Sequence, residues 1–120
     1  MLIDKPITMG REKVHIRWQR DPETLNLISL HTESGTARLL GFPLSVFQDM
    51  NEWYERMVPE DVGKELLLLS EIYQKGRGRI RYRIRGRDGS EWLVTETAEM
   101  KVPEEGGKRV LSGEWICEKK

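Results

Sequence analysis

The sequence is poor in the residues that build disulfide frameworks, metal centres and membrane spans. Its 120 residues include one cysteine, Cys117, so neither an internal disulfide bridge nor a thiolate zinc site can form. The longest uninterrupted apolar run, residues 66–69, is far short of the roughly 20 residues that a membrane-spanning helix needs. The first residues include Asp4 and Pro6 and have no apolar core of signal-peptide length. We therefore expect a cytoplasmic protein that does not enter a membrane.

The sequence also lacks an excess of charge of either sign. Twenty Lys and Arg residues balance 20 Asp and Glu residues, which gives no global attraction to nucleic acid or to anionic lipid. The length and a hydrophobic fraction of 38% suit one folded domain. No repeat, low-complexity tract or linker divides the chain, so we predict an N-terminal flanking segment, residues 1–12, and a single domain over residues 13–120.

The first half of the chain changes from a strand pattern to a helix pattern. Apolar and polar residues alternate over 14–18, which predicts a strand, and 21–23 is typical of a turn. A second strand is predicted over 25–31. A helix of two turns from Ser34 ends at a left-handed Gly41, and 45–57 is long enough for one or two short helices.

One longer helix is predicted between Pro59 and Gly76. A proline followed by Glu60 and Asp61 is typical of a helix start, where acids complement the positive end of the dipole. We interpret these two acids as helix-start residues. The apolar face would be formed by Val62, Leu66, Leu69 and Ile72 or Tyr73.

After Gly76 the period of the pattern becomes two. Arginines occupy the odd positions from 77 to 87, and the even positions between them include Ile80, Tyr82 and Ile84. A three-residue loop, 87–89, predicts a hairpin with Ile84 opposite Trp92, Tyr82 opposite Val94 and Arg85 opposite Glu91. The second strand would run to Val102 and a last strand from Lys108 to Cys117. The elements are two strands, a run of short helices, one longer helix and three strands in an antiparallel meander, which together predict an α+β domain.

Short motifs at the joints of these elements resemble those of the PAS sensory domain. The resemblance is carried by Trp18 with the 21–23 turn, by Leu39-Leu40-Gly41-Phe42, by the segment Trp53 to Asp61, and by Tyr82 to Arg85 with Asp88-Gly89-Ser90 and Trp92 to Val94. It extends over roughly residues 13–117 and is similar to the subfamily with an Arg-rich strand before an Asp-Gly-Ser hairpin. Two positions depart from the pattern: Val58 stands where the family usually has His, and the usual closing Asp-Ile-Thr triplet is missing after Gly113.

The resemblance implies a five-stranded antiparallel sheet with short helices and one longer helix packed on one face, and a signal-sensing or regulatory function. A Gly-x-Ser-x-Gly motif, a phosphate loop and paired metal-ligand histidines are all missing from the sequence, so we do not expect an enzyme. Such a domain would bind a small molecule between helix and sheet, mediate dimerisation, or both, and would belong to a regulator such as a histidine kinase, a diguanylate cyclase or a transcription regulator. Its partner would be a second copy of the chain or an effector domain. The implied pocket candidates are Trp53, Leu66, Leu69, Ile72, Tyr82, Ile84, Trp92 and Val94. The alternative is a purely structural dimerisation module.

Most of the cofactors that the family binds are disfavoured by the residues present. The predicted long helix has no His for haem, and Cys117 at the end of the chain does not fit a flavin photoadduct. Non-covalent flavin stays open, because Trp18, Trp53 and Trp92 could stack on it, although core packing explains them more simply. Having no bound cofactor is the favoured interpretation.

The row of arginines permits three interpretations. A solvated sheet face with ion pairs is favoured, since Glu91 and Glu99 are predicted on the same face. A protein interface is the second, with Arg79, Arg81, Arg83 and Arg85 as candidates. A nucleic-acid-binding face is the least favoured.

Overall fold

The structure is a computed structural model that describes residues 13–32, 39–102 and 106–120. In chain order its elements are β1 (Lys13–Arg20), β2 (Leu27–Thr32), α1 (Leu44–Gln48), α2 (Met50–Arg56), a 3-10 turn (Pro59–Asp61), α3 (Lys64–Lys75), β3 (Arg77–Arg85), β4 (Glu91–Lys101) and β5 (Val110–Lys119). The five strands form one antiparallel sheet in the order β2-β1-β5-β4-β3. The predicted fold class is confirmed. The flanking segment 1–12 and most of the predicted helix after Ser34 lie outside the described residues, while Gly41 has the expected left-handed φ of +75°.

The β3–β4 hairpin has the predicted register. Ile84 pairs with Trp92, Tyr82 with Val94 and Arg85 with Glu91. The Gly86 N–H donates to the Ser90 carbonyl at 2.8 Å, and Gly89 has a φ of +87°, which a residue with a side chain rarely adopts. Alternation along both strands turns the even-numbered residues toward the helices and the odd-numbered arginines outward.

Helix α3 is shorter than predicted and presents a different face. It begins at Lys64, because residues 59–61 form a separate 3-10 turn, and it ends at the left-handed Gly76 as expected. Its buried residues are Glu65, Leu68 and Ile72. Leu66, predicted to face the sheet, is 72% exposed, and Leu69 is half-buried. The placement of Leu66 in a pocket under the helix is therefore wrong.

Asp61, in the 3-10 turn before α3, is buried by its contacts with β3. The Arg83 side chain donates to Asp61 through Nε at 2.9 Å and Nη2 at 3.1 Å, and the Arg83 backbone N–H donates at 2.9 Å. These bonds hold the pKa of Asp61 down at about 2. Asp61 is thus not simply a helix-start residue: it joins the 3-10 turn to β3, while Glu60 is exposed.

The same segment covers β3, which is an edge strand of the sheet. The Val58 N–H donates to the Arg83 carbonyl at 2.9 Å, and Met57 forms a bridge with Ile84. The helices consequently pack on one face of the sheet, and the core lies between them. Within the described ranges, no helix is long and apolar enough to span a membrane.

Candidate functional site: a buried polar cluster between helices and sheet

Three ionisable side chains lie inside the layer between the helices and the sheet. Arg20 is 2% exposed, Glu65 is 6% exposed and Glu96 is 3% exposed. Arg20 ends β1 and Glu96 lies in the middle of β4, both in the strand phase that faces the helices, and Glu65 comes from the first turn of α3. Ionisable groups are seldom fully buried without partners, so the contacts of these three side chains define a candidate site.

A chain of hydrogen bonds links α2, β3, β4 and α3. The Trp53 indole N–H donates to the Tyr82 hydroxyl at 2.7 Å, and that hydroxyl donates to Glu96 Oε1 at 2.8 Å. Glu65 hydrogen-bonds to Glu96 from the other side. Two carboxyl groups share a hydrogen bond only when one holds a proton, so one member of this pair is neutral.

The environment assigns the proton to Glu65. Burial raises the pKa of Glu65, and the negative charge of Glu96 raises it further. Burial also raises the pKa of Glu96, but the hydrogen bonds from Glu65 and Tyr82 oppose that rise. Glu65 is therefore the protonated donor, and Glu96 is the carboxylate that accepts its hydrogen bond. The negative charge of Glu96 balances the positive charge of Arg20.

Arg20 is held by a strained turn and has one nitrogen without a partner. Its Nη1 donates to the Leu25 carbonyl at 3.1 Å, and Leu25 has a φ of +62°, which is uncommon for a residue other than glycine. The guanidinium lies 5.3 Å from the centroid of the Trp18 ring. Its Nη2 is buried without a hydrogen-bond partner, and in the described part of the chain no carboxylate forms an ion pair with Arg20.

Tryptophans fill the space beside these polar groups. Trp53 stacks on Trp115 with ring centroids 4.0 Å apart and planes 6° apart, and Trp18 lies 6.0 Å from Trp115. The Trp115 indole N–H lies near Glu96 and lowers its pKa, but without the geometry of a hydrogen bond. Across residues 13–32, 39–102 and 106–120, the buried side-chain polar atoms without partners are all nitrogens of this cluster, on Trp18, Arg20 and Trp115. Each is a donor that lacks an acceptor.

A depression of about 530 Å³ opens beside Arg20, between the β1–β2 turn and the helices α1 and α2. We call it the Arg20 depression. Its wall includes Tyr54, whose hydroxyl has the Met50 sulfur, 4.0 Å away, as its partner. A thioether is a weak acceptor. The depression thus leads from solvent to a buried cation.

The structure brings some predicted pocket residues together and separates others. Trp53 and Tyr82 belong to the buried cluster, whereas Leu66 points away from it. Trp92 is buried but donates its indole N–H to Ser90 in the hairpin at 3.0 Å. The remaining candidates lie buried or half-buried in the layer under the helices: Leu69, Ile72, Ile84 and Val94.

Four residues of this cluster were not predicted from the sequence: Arg20, Glu65, Glu96 and Trp115. The sequence does contain a signal for two of them. Arg20 lies in the same alternation as the apolar residues of 14–18, and Glu96 lies in the same alternation as Trp92 and Val94. A charge in the buried phase of a strand indicates a buried polar site. Glu65 gave no such signal, because the phase of its helix was assigned wrongly.

The outer face of the sheet carries the arginine row and a groove of about 740 Å³. Arg79, Arg81 and Arg85 are exposed, while Arg83 is bound to Asp61. Two acids on this face have partners: Glu91 pairs with Lys120 at 2.7 Å, and Glu114 shares a hydrogen bond of 2.7 Å with the His15 ring. The role of the row as an interface stays a prediction.

The single cysteine lies inside the core. Burial raises the pKa of the Cys117 thiol, so the thiol is neutral and a poor nucleophile. Among the described residues, no group of three or more His, Cys, Asp or Glu side chains is arranged to hold a metal ion. The expectations about cofactors stay predictions.

Comparison with known proteins identifies solved structures with a similar fold. No protein-family model and no curated protein matches the sequence. The N-terminal domain of a diguanylate cyclase with PAS/PAC sensor from Marinobacter aquaeolei is 22% identical, with a TM-score of 0.65 over 84% of this chain and 92% of that chain. A sensory box histidine kinase/response regulator from Burkholderia thailandensis is 18% identical, with a TM-score of 0.54 over 87% and 76%. The PAS-B domain of Drosophila melanogaster Cycle with bound ethylene glycol is 14% identical, with a TM-score of 0.55 over 88% and 97%.

Proposed function

We propose that this chain, which has the PAS fold, is the sensory domain of a signal-transduction protein and responds to a small polar molecule at its buried cluster. The observation that carries the proposal is the buried guanidinium of Arg20, whose Nη2 has no acceptor. Buried polar groups are nearly always hydrogen-bonded, so an acceptor from outside the chain would complete this network. The similar domains from a diguanylate cyclase and a sensory box kinase support a signalling role.

The cluster also suggests how occupancy would be transmitted. Arg20, Glu96 and Glu65 belong to β1, β4 and α3. Glu65 is hydrogen-bonded to Glu96, and the charge of Glu96 acts on Arg20 without a direct contact. A molecule bonded to Arg20 changes the field at Glu96 and with it the hydrogen bond to Glu65. The packing of α3 on the sheet would then depend on occupancy, which is what a sensor requires.

We further propose that the domain is not catalytic and works in the cytoplasm as part of a longer regulator or as a homodimer. The cluster has donors and a carboxylate, and the one thiol of the chain, Cys117, is protonated and buried in the core. These groups suit binding and charge balance more than bond breaking.

Native mass spectrometry of the full chain, as purified from cells, tests the proposal. We expect a mass excess that corresponds to a small molecule, or, for a weakly held one, a rise in melting temperature with members of a metabolite panel. Arg20→Gln should lose the response and Arg17→Gln, an exposed arginine of the same strand, should retain it. A clean apo mass together with no thermal response to any compound would refute a small-molecule sensor.

A structural association module is the second candidate, favoured by the close packing of the interior. Trp53 and Trp115 stack face to face at 4.0 Å, so the chain's own side chains occupy much of the space under the helices. This candidate predicts a ligand-free dimer by light scattering. Arg79→Glu with Arg81→Glu would dissociate a dimer formed through the outer face, whereas Lys108→Glu, an exposed charge in the β4–β5 connection, would not.

A further inference from the structure

We infer that the Arg20 depression is a binding site for a small monocarboxylate, which displaces the side chains that cover the unpartnered Nη2 of Arg20 and accepts a hydrogen bond from that nitrogen. The inference rests on the proposed function and adds to it the place of the site and the chemical class of the ligand. It combines three independent features of the same region: an unpaired buried cation, a strained turn and a polar opening.

The first feature is the state of the guanidinium. Arg20 is only 2% exposed, yet it has no ion-pair partner among the described residues. A buried cation is normally paired. Glu96 compensates its charge only at a distance, because that carboxylate is already bonded to Tyr82 and Glu65. A carboxylate from solvent would supply the missing contact, and charge-assisted bonds to Arg are the strong ones.

The second feature is the backbone that holds Arg20. Leu25 accepts the bond from Nη1 with a φ of +62°, and such a conformation costs free energy that the surrounding structure must supply. The Asp21 carbonyl accepts the Leu25 N–H at 2.7 Å, and the Asp21 N–H donates to the Asn26 carbonyl at 2.9 Å. These two bonds fix the turn. The turn therefore immobilises one terminal nitrogen of Arg20, while the other is buried without a hydrogen-bond partner.

The third feature is the lining of the depression, which sets the class of the ligand. Thr24, Asn26 and Gln48 contribute neutral polar groups, and the charged residues of the wall are Arg20 and Asp49. One negative charge can pair with Arg20, but a second would approach Asp49 and be repelled. We therefore expect a monocarboxylate to bind better than a dicarboxylate of similar size.

NMR titration of the indole N–H signals of the 120-residue chain tests the inference. The probes are sodium acetate and propionate, with acetamide as the uncharged isostere, succinate as the dicarboxylate and sodium chloride at equal ionic strength. Acetate should shift the signal of Trp18, whose ring lies against Arg20, and leave that of Trp92, which donates to Ser90. Acetamide and chloride should shift neither.

Two variants of matched charge then locate the site. Arg20→Gln should weaken acetate binding by about tenfold or more, the loss typical of a hydrogen bond to a charged group. Arg17→Gln removes the same charge from the outer face of β1 and should leave the affinity unchanged.

The outcomes separate this inference from the proposed function. If acetamide shifts Trp18 as strongly as acetate does, or if Arg20→Gln binds acetate like the wild type, the carboxylate site is refuted while a sensor of another ligand remains. If no carboxylate shifts Trp18 in the wild type, the inference fails, and the mass of the purified protein decides the proposed function separately. If Arg20→Gln does not fold, the comparison of acetate with acetamide on the wild type still tests whether the site requires a carboxylate.

Discussion

Replacing Glu65 by glutamine should stabilise the protein, and the gain should grow with pH. Glu65 is a buried carboxyl that keeps its proton in the native state, since burial and Glu96 raise its pKa. In the unfolded chain the same carboxyl ionises above its ordinary pKa of 4.5. The native state thus holds one proton more than the unfolded state, and the free energy of unfolding must fall as the pH rises.

The magnitude follows from the difference in proton binding. Each pH unit above 4.5 lowers the free energy of unfolding by about 1.4 kcal/mol. The accumulated loss at pH 7 is at most about 3 kcal/mol. Glutamine cannot ionise in either state, so Glu65→Gln removes this loss. Its amide N–H can donate to Glu96 as the protonated carboxyl does, and the exchange of donors should cost no more than about 1 kcal/mol. We expect a net gain of about 2 kcal/mol at pH 7 and none near pH 4.5.

Urea unfolding followed by tryptophan fluorescence between about pH 5 and 8 measures this difference. The control is Glu55→Gln, which removes an exposed carboxyl from α2 and should change the free energy of unfolding equally at each pH. A difference between Glu65→Gln and wild type that does not rise with pH would show that Glu65 is ionised in the native state. A variant less stable than the wild type at pH 8 would refute the reasoning in the same way.

Two further predictions concern stability. A double-mutant cycle of Asp61→Asn and Arg83→Gln should give a coupling free energy of about 1 kcal/mol, a value reduced by the partial exposure of Arg83. Because the pKa of Asp61 is lowered from 3.8 to about 2, this coupling free energy should fade as the pH drops between these values. A coupling free energy that does not change down to pH 2 would contradict the prediction. Gly113→Ala should cost about 2 kcal/mol or more in urea unfolding, since its Cβ would collide with the Trp18 ring and lie 2.7 Å from a main-chain carbonyl oxygen. Gly63→Ala, with no atom within 4 Å, should stay within about 1 kcal/mol of wild type, and equal effects would refute the packing argument.

The hairpin could be predicted in detail because local rules decide it. A period of two fixes which residues share a face, and the 87–89 loop with its left-handed Gly89 fixes the register. Both rules agreed on the same pairs, and the structure has them. The order of the elements and their joints was likewise enough to identify the fold.

The face of α3 could not be predicted, because its buried phase begins with two acids. A criterion that counts only apolar residues selects Leu66 and Tyr73. Asp61, however, is buried against the edge of β3 by its bonds to Arg83, and Glu65 turns inward to Glu96, and both partners lie far away in the sequence. Tertiary contacts of this kind override local periodicity. The buried cluster was missed for the same reason, since each of its members looks ordinary until the sheet and the helices bring them together.

Stability and function are expected to diverge at this cluster. Buried charges contribute little net stability, and well-packed apolar residues often replace them without loss. A protonated Glu65 lowers the stability of the fold at neutral pH, so its presence beside Glu96 and Arg20 is better explained by a task than by folding. If Glu65→Gln is more stable but binds acetate without the wild-type response of α3, the network transmits occupancy from Arg20 to the helix. If it is more stable and the helix responds as before, the signal leaves the Arg20 depression through the sheet instead.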